Sequence, residues 1–190
     1  YIDKSIALAS KLKTKELLLS AMGEKITILS QLERFQDAEL LIKEALKLAT
    51  TNKFSPYLIH NHAAEMYFKI GKYDSSYTHL ILEKELKHKK FDIVTFHINN
   101  SEVLTNMNRL NEATPSIQFL ESKFDSLDEY DKPLVVNCIT KYYIATKNFE
   151  KAQRFFLLNE TIYKNYYTKE KAILSEDLIK KYQLVHKEIV

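Results

Sequence analysis

Three stripes of residues stand at steps of three, one and three along the chain. They are His60, Ala63, Ala64 and Tyr67, then His97, Asn100, Ser101 and Leu104, then Val136, Ile139, Thr140 and Tyr143. That spacing places each set on one face of a helix. Extended over the whole sequence, the pattern predicts helices at about 2–12, 15–31, 35–51, 55–70, 73–89, 91–107, 110–126, 131–146, 149–166 and 168–188. Pro56 and Pro133 sit near helix starts, where proline is tolerated. Pro115 falls about a turn into its helix and is expected to bend or delay it.

A short motif closes each stripe. Glu33-Arg-Phe-Gln-Asp-Ala38, Gly71-Lys-Tyr-Asp-Ser-Ser76, Asn108-Arg-Leu-Asn-Glu-Ala113 and Lys147-Asn-Phe-Glu-Lys-Ala152 share a polar pair, a large apolar residue, two polar residues and a small one. The large residues Phe35, Tyr73, Leu110 and Phe149 are 38, 37 and 39 positions apart, and the small ones keep the same intervals. The polar pair is a turn between antiparallel helices. The large residue starts the second helix and plugs the gap under the turn. The small residue lets the two backbones approach. Ala64, Ser101 and Thr140 are correspondingly small on the first helix. Phe35, Tyr73, Leu110, Phe149, Ala38, Ala113 and Ala152 are therefore expected to be buried.

The spaced stripe followed by a Gly-x-Tyr-x-x-Ala-like turn resembles the tetratricopeptide repeat family, over about residues 18 to 165. Asn61-His-Ala-Ala-Glu-Met-Tyr-Phe-Lys-Ile-Gly-Lys-Tyr73 is the best copy. The first repeat departs most, with Lys25 where a core leucine is expected. The intervals of 37 to 39 exceed the family's usual length of about 34, which implies longer helices or loops. The resemblance implies an all-α, right-handed superhelical solenoid of antiparallel helix pairs. It has about four repeats over 14–166, a half repeat at 1–13 and a C-terminal helix at 167–190. Ser5-Ile-Ala-Leu-Ala-Ser10 echoes Ala45-Leu-Lys-Leu-Ala-Thr50, so the start reads as the second helix of an earlier repeat. Ile2, Ile6 and Leu8 are then expected to be incompletely covered.

Composition narrows the function. The chain has 2 Gly and 3 Pro, against roughly 23 at average usage, too few for hairpins or a phosphate-binding glycine loop. Net charge is +3, and the arginines are Arg34, Arg109 and Arg154, a poor basis for reading DNA or RNA. The longest run free of Asp, Glu, Lys and Arg is the eleven residues Phe54 to Ala64, well short of the ~18 a membrane span needs. The chain opens Tyr1-Ile2-Asp3-Lys4, with no basic-then-apolar leader. A lone Cys138 gives neither an internal disulfide nor a cysteine-based zinc site, and in an apolar run it reads as a buried small hydrophobe.

Candidate chemistry is sparse. His60 and His62 diverge on a helix, there is no His-Glu-x-x-His, and His60 and His97 share one stripe position, so packing is preferred to metal ligation. His79 and Glu83 stand i, i+4 and are placed to pair. The acidic stretch Asp125 to Asp131 lacks the glycine and closing glutamate of a calcium loop and reads as a loop with a helix start at Asp131. No catalytic residue, metal ligand or cofactor site is assigned. An enzyme with residues scattered over the repeats is the distant rival.

The resemblance further implies that the first helix of each repeat lines a groove. By position, the groove residues are Asn61, Glu65, Phe68 and Lys69, then Ile98, Glu102, Thr105 and Asn106, then Asn137, Lys141 and Ile144. Amides, both charges and apolar groups suit a peptide or another helix. The arrangement of lysine and asparagine that clamps a terminal carboxylate in some members is not evident. The expected partner is a peptide or protein, with no nucleic acid and no membrane insertion.

The tail, Lys169 onward, resembles the helix leaving the repeats of bacterial sensor kinases and regulators with an extracytoplasmic repeat domain. It implies the sensory region of a larger signalling protein, on the extracytoplasmic side. The alternative is a cytoplasmic scaffold. Leu174, Leu178, Tyr182, Val185 and Ile189 form an apolar stripe on this tail, which either caps the fourth helix pair or makes a weak homodimer. Leu178→Asp with Val185→Asp distinguishes the two. A cap predicts a lowered melting temperature of the monomer; a dimer seam predicts loss of the dimer by light scattering with an unchanged melt.

Overall fold

The computed structural model describes residues 15–86 and 92–165, with single positions 2, 4, 7 and 168. Over 15–165, eight α-helices follow one another among the described residues: α1 (Lys15–Gln31), α2 (Phe35–Asn52), α3 (Tyr57–Lys69), α4 (Tyr73–Glu85), α5 (Ile93–Asn106), α6 (Leu110–Lys123), α7 (Asp131–Ala145) and α8 (149–165). A 3-10 turn, Phe124–Ser126, follows α6. No strand occurs among the described residues. The arrangement is an all-α series of helix pairs. The half repeat expected at the start and the apolar tail stripe, Leu174 to Ile189, lie outside the described residues, as do Ile6 and Leu8; Ile2 is half-buried.

The four motif turns share one backbone solution. Glu33, Gly71, Asn108 and Lys147 all take positive φ, between 58° and 74°. In each turn the next residue's N–H reaches back five positions to a carbonyl of the first helix: Arg34 to Leu29, Lys72 to Tyr67, Arg109 to Leu104 and Asn148 to Tyr143, at 2.8–2.9 Å. The positive-φ residue itself donates three positions back, at 3.0–3.2 Å. This pair of bonds satisfies carbonyls that a helix end leaves open. The small residue then makes the first bond of the second helix: Ala38, Ser76, Ala113 and Ala152 donate to Arg34, Lys72, Arg109 and Asn148.

Ala38 and Ala113 at 0% exposure and Ala152 at 5% are buried as expected, and Ser76 at the same motif position is at 0% too. Ser76 shows how close the backbones come, since its hydroxyl donates to the Ala64 carbonyl at 2.8 Å. The large residues are a correction. Phe35, Tyr73 and Leu110 are only half-buried, and Phe149 is 65% exposed. They begin their helices at the rim, and their cover comes from one side: the Phe68 ring lies 5.6 Å from Tyr73, and the Lys69 ammonium sits over Phe35. Pro115 lies inside α6 without ending it. At α7 the Asp128 carboxylate, rather than Asp131, accepts the first amides, from Tyr130 and Asp131 at 2.9 Å.

Two compact units divide the chain, Tyr1–Phe119 and Leu120–Val190. In the first, Leu19, Met22, Ile26 and Leu29 of α1 pack with Ala38, Ile42, Ala45 and Ala49 of α2 and with Ile59, Ala63 and Met66 of α3. Lys25 is half-buried, and its neighbour Ile26 fills the core at 0% exposure. A second cluster joins Ala64, Leu80, Phe96 and Val103 across α3, α4 and α5. Gly23 permits a close approach: a Cβ there would stand 2.6 Å from the His62 ring of α3. In the second unit Val135, Val136, Ile139, Tyr142 and Tyr143 of α7 are buried, and Cys138 is too. Tyr143 stacks on Phe155 of α8 with centroids 6.1 Å apart.

The left-handed turn is testable at Gly71, where an added Cβ meets nothing within 4 Å and the penalty is confined to the backbone. Gly71→Ala is expected to cost about 1 kcal/mol in urea unfolding. Glu33→Gly is expected to gain up to about 1 kcal/mol at the corresponding position. An unchanged midpoint in both would show that the turns are not under this constraint.

Candidate functional site

The groove positions named from the sequence divide between structural and open roles. Glu65 and Phe68 on α3 and Glu102 on α5 line one cleft, together with Ala64, Leu80, Asn99 and Val103. Its floor is apolar and its rim carries the two carboxylates. Glu65 reaches solvent at the mouth, and among the described residues no hydrogen bond or ion pair engages it. The protein around it displaces water and raises its carboxyl above the ordinary range, and the Glu24 carboxylate adds repulsion.

The other groove residues have structural partners or different surroundings. Asn61 donates to Glu83 Oε1 at 3.2 Å. Lys69 donates to the Ser30 carbonyl at 2.8 Å and so ties α3 to the end of α1. Ile98 is buried. Asn106 donates to the Glu102 carbonyl of its own helix. The Thr105 hydroxyl is buried without a partner. Asn137, Lys141 and Ile144 are exposed on α7, in the second unit.

A set of part-buried polar contacts joins the helices. His60 of α3 and His79 of α4 meet with Nδ1 atoms 2.8 Å apart, and His79 stacks on Tyr67 at 5.4 Å. In the next pair, His97 Nδ1 stands 3.0 Å from Ser116 Oγ, and Asn100 donates to the same oxygen at 2.9 Å. His97 also stacks on Phe119 at 4.0 Å. His62 Nδ1 contacts Thr27 Oγ1 at 2.9 Å. Burial lowers all four imidazoles, and His60, beside His79, falls to about 4. The expected His79–Glu83 pairing is replaced: His79 turns to His60, and Glu83 takes the Asn61 amide. Burial pushes the Glu83 carboxyl up to about 7, the Asn61 bond opposes it, and Glu65 and Asp92 add to it.

No protein-family model and no curated protein matches the chain. Among solved structures, the chain is similar to the crystal structure of BtubC (BKLC) from P. vanneervenii, at 18% identity and a TM-score of 0.48, over 87% of this chain and 92% of that one. A likeness this slight carries no inference.

Sequence spacing missed Asn99, Leu80 and Glu83 as neighbours of the groove and missed the histidine pair. The signal for the pair was present: His60 to His79 and His97 to Ser116 are both 19 residues apart, in register with the turns. No group of three or more metal-ligating side chains occurs among the described residues.

Glu83 supplies a pH test. Its carboxyl is raised on folding, so its contribution is present below its unfolded value and lost as pH rises through 7. Glu83→Gln keeps the Asn61 contact and removes the charge. Compared with the parent, it is expected to be equally stable near pH 4 and about 2 kcal/mol more stable at pH 8, as read by urea unfolding. A constant difference across that range would contradict the assignment.

Proposed function

We propose that this chain is a non-catalytic helical-repeat module of the tetratricopeptide type that binds a peptide or protein segment, with the cleft between α3, α4 and α5 as its centre. The observation carrying this reading is Glu65 at the mouth of an apolar cleft, without a cationic partner among the described residues and facing like charge from Glu24. A Lys or Arg side chain complements it. The aliphatic stem lies over Ala64, Leu80 and Val103, and the charged head stands between Glu65, Glu102 and the Phe68 ring. The eight groove residues of the first unit belong to α3 and α5, the first helices of successive pairs, which suits an extended or helical ligand.

The place of the module is the sensory region of a larger bacterial signalling protein, a sensor kinase or regulator. Support for this comes from the resemblance of the tail, Lys169 onward, to the exit helix of such proteins. Among the described residues no helix is long and apolar enough to cross a membrane.

Selection of a random 12-residue phage-displayed peptide library on the protein tests the binding reading. Basic peptides are expected, and Glu65→Gln is expected to weaken a selected peptide about tenfold, the worth of one charge-assisted bond. Failure to enrich any peptide that protects α3 and α5 from deuterium exchange would sink it.

A further inference from the structure

Two side-chain pairs occupy the same place in successive repeats. His60 and His79 flank Gly71 at the positions where His97 and Ser116 flank Asn108, and each pair joins the first helix of its repeat to the second. Their hydrogen-bonding chemistry differs. In the third helix pair an imidazole Nδ1 meets a hydroxyl oxygen, and a hydroxyl either donates or accepts. His97 therefore keeps its bond whether neutral or protonated.

In the second helix pair two imidazole Nδ1 atoms meet. One ring must donate an Nδ1–H. The other must present a bare Nδ1 and carry its proton on Nε2. A first additional proton enters at Nε2 of the donor ring and leaves the bond intact. A second has only the accepting Nδ1 left, where two N–H groups and two positive charges would face each other.

We propose that His60 and His79 form an acid-labile clasp, which holds α3 against α4 while the rings can share one Nδ1 proton and releases the second helix pair when both are protonated, with the third pair left closed.

Among the described residues, burial and the neighbouring ring, not a carboxylate, set the state of the two imidazoles. Tyr67 lies flat on His79, with 12° between the rings. On α1, Glu24 acts on His62 and Glu65. On α2, Glu39 is taken by Lys72 and Tyr67. On α3, Tyr57 is raised by burial and Glu83. On α4, Glu83 accepts from Asn61, and Lys84 lies over Phe96 and acts on His97. On α5, Asp92 caps its own helix. Burial is the leading cause that keeps both clasp rings neutral. An open or unfolded second pair takes up protons below about pH 6.5 that the closed pair refuses, so the equilibrium moves toward opening as pH falls.

Deuterium exchange at pH 7.5 and 5.0, with rates corrected for the intrinsic pH dependence of amide exchange, tests the clasp on the whole chain. Protection in α3 and α4 is expected to fall at least about tenfold more than in α5 and α6. His79→Ser copies the third pair and gives His60 a hydroxyl partner. It is expected to bring the acid loss in α3 and α4 down to that of α5 and α6. Imidazole nitrogen resonances of the unsubstituted protein give a reading that does not depend on the variant. The two rings are expected to titrate as one coupled pair, with the second proton taken up only as α3 and α4 lose protection. Equal acid loss in both helix pairs overturns the proposal, as does acid loss in α3 and α4 that His79→Ser leaves unchanged. Independent titration of both rings near pH 6.5 with α3 and α4 still protected overturns it too.

Discussion

The left-handed residue at Glu33, Gly71, Asn108 and Lys147 governs how each helix pair closes. At that point the chain must reverse while the last carbonyls of the first helix still need donors. One positive-φ residue brings its own amide and that of the following residue back onto those carbonyls and aims the chain into the second helix. The reversal is so short that the helices meet within a turn of it. A residue as small as alanine or serine then becomes obligatory at 38, 76, 113 and 152, and each is buried. Only Gly71 takes this conformation without a side-chain penalty. At Glu33, Asn108 and Lys147 the two backbone bonds and the packing of the following helix offset the strain.

Several of the positions buried between the paired helices are polar. His60, Asn100, Ser101, Ser116 and Thr140 are buried on helix faces that an ordinary bundle fills with leucine and isoleucine. Each finds a partner, on a facing helix or on a carbonyl of its own. The aromatic stack repeats as well: Tyr67 on His79 in the second pair has its counterpart in Tyr143 on Phe155 in the fourth. A histidine in that position exchanges a phenylalanine's apolar contact for one that depends on protonation.

The cleft and the His60–His79 pair share α3 and α4. Ala64, Glu65 and Phe68 face the cleft from α3, while His60 and Tyr67 on that helix face α4. Acidic groups gather here, with Glu24, Glu65, Glu83 and Asp92 acting on one another through protein rather than water. Their mutual repulsion is a standing cost of bringing these carboxyls together.

The sequence by itself determined the helices, the turns and the period. These depend on local causes: steps of three and four along one helix face, the shortage of glycine and proline, and a motif whose small residue recurs at fixed intervals. The helix boundaries from 15 to 165 accordingly fall close to those expected. The burial of Cys138 also followed from its apolar neighbours. Tertiary structure alone decided what depends on the facing helix. Phe149 stands exposed, although its motif position matches that of half-buried Phe35 and Tyr73, because a rim residue is covered only by what lies beside it. Lys69 and Asn61 share the groove register with Glu65, yet Ser30 and Glu83 engage the first two and leave Glu65 open. His79 lies one helical turn from Glu83 and pairs with His60 instead, because helix packing brings an imidazole across the pair to 2.8 Å. Periodicity reports which face a residue is on, and the neighbour across the interface decides what that residue does there.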